Sequence, residues 1–405
     1  MSTDSNPLGT DGFDFVEFTA PTPEGIRQLH ELFELLGFVA VARHRSKDVT
    51  LFRQGDIHFL VNATPYTHFQ QFALAHGPSA CAMGWRVADA PAALRHAVSR
   101  GGHVFEAPCD YMELRMPAIY GIGSSVLYFT DRYGEQSIFD VDFQPIEGAE
   151  QAPKGVGLTY VDHLTHNVAR GNMDVWAGFY ENIGNFREIR YFDIEGKLTG
   201  LFSRAMTSPC GKIRIPINES ADENSQIEEF LRQYRGEGIQ HIALATDDIY
   251  ATVRALRERG VVFMDTPGTY YEKVDERLPG HGEPVDTLRE LSILVDGAPT
   301  EGGGILLQIF TSTVIGPIFF EIIQRKGDEG FGEGNLRPCS NPSKKTKSAA
   351  ACCRSPETSR ESFHRWPQIG KMARNGGNTV RKACERGPRP GVAWKATADF
   401  TDCAD

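Results

Sequence analysis

An α+β fold of two similar halves, each with helices packed outside a curved sheet, is what this 405-residue sequence predicts. Three observations carry that expectation. MGWRVADAPAALRHAVSRGGHVF, from Met83, and HIALATDDIYATVRALRERGVVF, from His241, share one pattern: apolar strand, acidic helix start, amphipathic helix, glycine, second strand. LHELFELLGF (Leu29–Phe38) corresponds to VWAGFYENIGNF (Val175–Phe186), each a helix ending at a glycine and each preceded by a strand, FDFVEF at 13–18 and YVDHLTHNV at 160–168. Finally, the composition breaks near residue 336. Residues 337–405 hold 14 basic and 6 acidic side chains, whereas the 336 before them hold 28 and 47.

Met1–Asp14 is polar and acidic, without the basic start and apolar run of a secretory signal, so a cytoplasmic protein is expected. Residues 10–145 make the first half, Pro145–Lys154 a connector, and 157–335 the second half. In the second half Asp247 or Asp248 can cap a helix whose Ile249, Val253 and Leu256 share one face, and Gly260 stops it. The halves differ in polarity: Met83 occupies the position of His241, and the strand carrying His163 corresponds to one with only Phe15, Val16 and Glu17. The second half is therefore expected to hold the chemistry and the first to be scaffold or interface. Val314–Ile323 is apolar but only ten residues long and contains Glu321, too short for a bilayer span. With a net charge of −11, neither a nucleic-acid nor a membrane partner is expected. Only Cys81, Cys109 and Cys210 of the eight cysteines fall in the body, widely spaced, as in a reducing compartment without disulfides. Residues 336–405, rich in Ser, Lys, Arg, Pro and Gly and without apolar period, read as disordered.

Longer strings are more specific. DHLTHNV at 162–168, FYENIGNFREIRYFDI at 179–194, SQIEEFL at 225–231, GEGIQHIALATDDI at 236–249, LLQIF at 306–310 and GPIFFEIIQRKG at 316–327 resemble bacterial 4-hydroxyphenylpyruvate dioxygenases. The resemblance implies two tandem vicinal-oxygen-chelate domains of paired βαββ modules forming open barrels, in keeping with the repeat. It implies Fe(II) held by His163, His241 and Glu321, the two-histidine, one-carboxylate facial triad that leaves positions for a keto acid and O2. Spacing alone would not select these among 12 histidines, and an isolated histidine on an apolar strand is more often simply packed. His166, three residues from His163, points to the other face of a regular strand and reads as a hydrogen-bonded structural or surface histidine.

By the same resemblance Ser203, Asn218 and Gln226 form a polar wall, Gln240 and Gln308 contact the keto acid and phenol, and Phe310, Phe319 and Phe331 clamp the ring, with Asn335 beside them. For Phe319, core packing is an equal alternative. The implied reaction joins 4-hydroxyphenylpyruvate and O2 to give homogentisate and CO2, through oxidative decarboxylation, ring hydroxylation and side-chain migration, in tyrosine and phenylalanine breakdown. A homo-oligomer is expected. Hydroxymandelate synthase, which hydroxylates the side chain of the same substrate, is the alternative, and the QRKG string at 324–327 favours the ring-hydroxylating branch. An inactive binding member of the fold is a third. Three further motifs are set aside: EGGG at 301–304 is a hairpin turn, GFGEGN at 330–335 lacks a dinucleotide-site context, and Cys352–Cys353 lacks zinc spacing.

The resemblance stops at Asn335. The family continues with a phenylalanine and a helix resembling FKALFESIEEDQIRR; here LRPCSNPSKKTKSAA follows. Those fifteen residues have a codon spelling that reads FKALFESIEEDQIRR once a single T is restored ahead of it. Residues 336–405 are therefore expected to be out-of-frame translation, which accounts together for the charge reversal, the cysteine excess and the missing period.

Overall fold

A computed structural model describes residues 5–107, 109–194, 201–223 and 225–336. The segment expected to be disordered lies outside them, apart from Leu336.

The first half forms one eight-stranded sheet: β1 (Phe13–Thr19), β2 (Val39–His44), β3 (Val49–Gln54), β4 (Ile57–Asn62), β5 (Ser79–Arg86), β6 (Ala118–Tyr120), β7 (Val126–Thr130) and β8 (Phe143–Pro145), ordered β6-β7-β5-β1-β4-β3-β2-β8. The second forms another: β9 (Leu158–Val168), β10 (Arg187–Ile194), β11 (Leu201–Thr207), β12 (Arg214–Ser220), β13 (Gly238–Thr246), β14 (Leu294–Gly297), β15 (Ile305–Phe310) and β16 (Phe319–Lys326), ordered β10-β11-β12-β9-β13-β16-β15-β14. The edge strands of each sheet do not pair with one another, so both are open, curled sheets. At each centre an antiparallel pair, β1 with β5 and β9 with β13, joins two modules of strand, helix and returning strands. These are two tandem vicinal-oxygen-chelate units. Three of the four modules carry three returning strands, one more than βαββ, and the β5 module carries two.

Local chemistry sets the helix starts. Thr22, Thr67, Asp89, Ser225 and Asp248 each accept a hydrogen bond from a backbone N–H of the following turn, a cap worth roughly 1 kcal/mol apiece. Asp248, not Asp247, is the cap of Ile249–Glu258, whose Ile249, Val253 and Leu256 are buried as their spacing requires. The helix Met173–Gly184 ends at its glycine, as expected, and Asn185 takes the left-handed cap conformation at φ 53°.

Two expected strands are only bridges. The segments after the helix glycines contribute single pairings, Val104 to Ile119 and Phe263 to Thr311. The returning strands begin later, at Ala118 and Leu294. The intervening stretches carry Pro117, Pro267, Pro279 and Pro284, which lack the N–H that a ladder needs.

The core is aromatic and continuous between the halves. Phe33 packs against Phe18, Phe52 and Phe59 at ring separations of 4.9, 5.6 and 5.0 Å. Phe59 of the first half meets Phe320 of the second at 5.9 Å, and Trp85 stacks on Phe186 at 5.0 Å. Gln54, fully buried, accepts from the backbone N–H of Val156 at 2.7 Å and donates to the Leu36 carbonyl at 3.0 Å, tying down the chain just after the connector. Among the described residues no helix is long and apolar enough to cross a membrane.

Candidate metal centre and active site

Three neighbouring strands build the site. β9 supplies His163, β13 supplies His241 and β16 supplies Glu321, and register explains their meeting: Ala243 pairs with His163 on one side and with Glu321 on the other. One ligand atom from each residue lies within 4.8 Å of the other two. His163 Nε2 is 3.2 Å and His241 Nε2 3.5 Å from Glu321 Oε2, while Glu321 Oε1 is buried without a hydrogen-bond partner. A buried carboxylate with one free oxygen facing two imidazole nitrogens is a donor set that fits a divalent cation.

Each imidazole is held from behind. His163 Nδ1 lies 2.8 Å from Asp162 Oδ1, and His241 Nδ1 lies 3.0 Å from Gln240 Oε1, so both rings direct Nε2 at the centre. Burial pushes the His163 pKa down, but the Glu321 and Asp162 carboxylates outweigh it and leave it raised. At His241 burial prevails over the pull of Glu321 and lowers it. Burial likewise raises Glu321, yet the two histidines more than reverse this and hold its pKa below the usual value. His166 is no ligand: it is fully buried, its Nδ1 is 3.2 Å from the Tyr180 hydroxyl, and burial pulls its pKa down to about 3.

The aromatic candidates surround the centre. Phe319 stacks on His241 at 4.9 Å and 20°, Phe310 stands edge-on to Phe319 at 6.0 Å, and Phe331 meets His163 edge-on at 5.2 Å. Gln308, on β15, is buried, and its Oε1 has no hydrogen-bond partner. Ser203 and Asn218 face each other across β11 and β12, both half-buried, and Asn218 pairs in turn with Asn167 of β9. Gln226 heads the helix Gln226–Tyr234 and is exposed, so the structure does not draw it into the buried cluster. Asn335 is an anchor: its Oδ1 accepts from the Tyr270 hydroxyl at 2.8 Å and from Arg277 at 3.0 Å.

The sequence did not single out Asp162, Arg214 or Arg325. Asp162 accepts two hydrogen bonds of 2.8 Å from Arg325 and lies 3.5 Å from Arg214. The signal lay inside quoted strings, Asp162 directly before His163 and Arg325 four residues after Glu321 on the same strand face. The correspondence between halves shifts by one residue. The equivalent caps Asp89 and Asp248 place Ala82, not Met83, at the position of His241. β5 and β7 then put Phe15 and Tyr128 where the second half has His163 and Glu321, and these rings pack at 5.6 Å.

Fold and site together define a metal-binding member of the glyoxalase and dioxygenase superfamily. Residues 160–274 match the family described as glyoxalase/bleomycin resistance protein/dioxygenase superfamily, and residues 4–144 match the N-terminal domain of hydroxyphenylpyruvate dioxygenase. The chain is 67% identical over 332 residues to a 4-hydroxyphenylpyruvate dioxygenase of Pseudomonas aeruginosa, covering 82% of this chain and 93% of that protein. It is 66% identical over 334 residues to a Vibrio vulnificus protein named hemolysin VllY, with coverage of 82% and 93%. A solved mutant of 4-hydroxymandelate synthase from Streptomyces coelicolor superposes with a TM-score of 0.70 at 25% identity, over 82% of this chain and 97% of that one. The chain belongs to the 4-hydroxyphenylpyruvate dioxygenase family.

Proposed function

We propose that the protein is an Fe(II)-dependent dioxygenase that converts 4-hydroxyphenylpyruvate and O2 into homogentisate and CO2. The observation that carries this is the convergence of His163, His241 and Glu321 from three adjacent strands, in a chain 67% identical to a protein named 4-hydroxyphenylpyruvate dioxygenase. Bound between these residues, Fe(II) would supply the one-electron chemistry by which O2 reacts with a closed-shell organic acid.

The side chains hold, orient and exclude water. Two neutral imidazoles and one carboxylate leave the centre with a single positive charge, which attracts the substrate's keto-acid carboxylate. Phe319, Phe310 and Phe331 offer apolar faces to the ring. Gln308 Oε1, buried and unpartnered, is an acceptor suited to a phenolic hydroxyl. Ser203 and Asn218 are assigned to the polar wall, with Gln226 at its outer end. The reading includes a cytoplasmic, homo-oligomeric enzyme that binds neither nucleic acid nor membrane, with catalysis in 157–335. Relatives 52–67% identical and named 4-hydroxyphenylpyruvate dioxygenase favour ring hydroxylation over the synthase reaction.

Product chromatography after aerobic incubation with Fe(II), ascorbate and 4-hydroxyphenylpyruvate tests the proposal. Homogentisate is expected. 4-Hydroxymandelate would select the synthase reading, and no substrate-dependent O2 uptake would overturn both.

A further inference from the structure

Shortly after the third ligand, Glu321, the chain turns back over the centre as a strap, residues 328–335. It is gripped along its length. Arg325 donates through one terminal nitrogen to the carbonyls of Asp328 at 3.0 Å and Gly330 at 2.6 Å, and Arg214 pairs with Glu329 at 2.5 Å. Phe331 lies against His163, with the Arg325 guanidinium 5.5 Å from its ring. A Cβ on Gly332 would collide with the side-chain amide of Gln308, so the strap passes directly over that group. Beyond, the Gly334 N–H donates to Asp296 at 2.7 Å, and Asn335 is held by Tyr270 and Arg277.

Both arginines that grip the strap also converge on Asp162, which is fully buried and takes the Nδ1 hydrogen of His163. Asp162 thus sits between a metal ligand and the cover of the site. Its Oδ1 accepts from both His163 and Arg325, so a rotation of the carboxylate disturbs ring and strap together. A salt bridge serving only the fold would need no imidazole as a third member.

We propose that Asp162 and Arg325 are positioning residues that couple metal occupancy at His163 to closure of the 328–335 strap. The inference rests on the metal-centre reading but not on the identity of the substrate. Strength arises from geometry: the guanidinium fork matches the carboxylate bidentately at 2.8 and 2.8 Å and leaves its remaining terminal nitrogen for the strap.

The test needs metal alone. Co(II) is titrated into the full-length protein by visible absorption, and hydrogen exchange of 328–335 is followed with and without Co(II). In the unaltered protein, Co(II) should raise strap protection at least tenfold. Asp162→Ala should weaken Co(II) binding by 10- to 100-fold and abolish the gain in protection, the range usual for loss of a ligand's outer partner. Asp162→Asn keeps an acceptor for His163 but loses the charge that holds Arg325. It should bind Co(II) within a few-fold of the parent while the strap stays unprotected. If Asp162→Ala does not fold, the paired neutral variant Asp162→Asn/Arg325→Met takes its place without a stranded charge: it should bind Co(II) within a few-fold of the parent and lose the gain in strap protection. Strap protection that ignores Co(II) in the unaltered protein, or survives in Asp162→Asn, overturns the coupling and leaves the metal centre standing. Failure of the unaltered protein to bind Co(II) overturns the centre itself.

Discussion

Each ligand histidine is steadied by its own predecessor in the chain, one by a carboxylate and one by an amide. The two imidazoles are therefore unequal before any metal arrives, His163 being the more basic and His241 the less. Replacing His163, His241 or Glu321 by Ala should abolish turnover and strip the metal, as measured by iron content; stoichiometric iron in all three variants would sink the assignment. Gln308→Ala should keep the metal and weaken substrate binding by about 0.5–1.5 kcal/mol, read as KM. Gln240→Ala should also lower metal affinity, because His241 loses its Nδ1 partner. Retained metal with unchanged substrate affinity in both would remove the glutamines from the site. The first half holds a titrating group of its own. Glu17 is buried, with the Asn62 amide at 2.6 Å, and burial raises its carboxyl to about 7 against the pull of Asn62 and Lys47. A raised carboxyl pKa means the folded state retains a proton that the unfolded state releases. The contribution to stability is therefore fully present below about pH 4.5 and is lost as pH rises through about 7. Glu17→Gln should flatten this window and, at pH 8, stabilise the protein by up to about 3 kcal/mol in denaturant titrations. An unchanged pH dependence would show that Glu17 is not the titrating group.

At the scale of elements, the repeat was legible because each module states its pattern locally: strand, cap, amphipathic turn, glycine. Ile249, Val253 and Leu256 could be placed on a buried face from spacing alone. The returning strands at Ala118 and Leu294 could not, because their partners lie in other modules and the stretches before them carry prolines. The strap was equally opaque. GFGEGN has neither strand nor helix period, and its course depends on Arg214 and Arg277, far off in sequence, and on Arg325 as held by the distant Asp162. Gly332 marks its tightest point, at φ 77° and in contact with Gln308. Gly332→Ala should cost about 1–3 kcal/mol, through the left-handed backbone and the displaced amide. Combined with Gln308→Ala it should cost less than the two single changes together, since the steric part disappears. Additive effects in denaturant titrations would mean that strap and glutamine do not touch.

For the whole molecule, the difference in polarity between the halves was readable, while its register was not. A one-residue offset between the helix caps turned Ala82 into Met83, and only the paired strands show Phe15, Ala82 and Tyr128 standing where the ligands stand in the other half. The ligand triad itself could not be found by spacing, because its members are brought together by sheet order and not by local sequence. Beyond the strap the question passes to the gene. Asn335, the last residue held by Tyr270 and Arg277, is also the last before the composition reverses. Resequencing across the Asn335 codon is expected to show one missing base, and an intact frame without the alternative helix spelling would refute this.

Glu321 and the strap that covers it lie close together in the sequence, whereas His163 opens the second half. At ordinary rates of synthesis, roughly ten to thirty seconds separate the emergence of His163 from that of Glu321. Throughout that interval the nascent chain exposes histidines without their carboxylate. Once His241 has emerged, a metal captured before Glu321 would be held by two imidazoles and no lid.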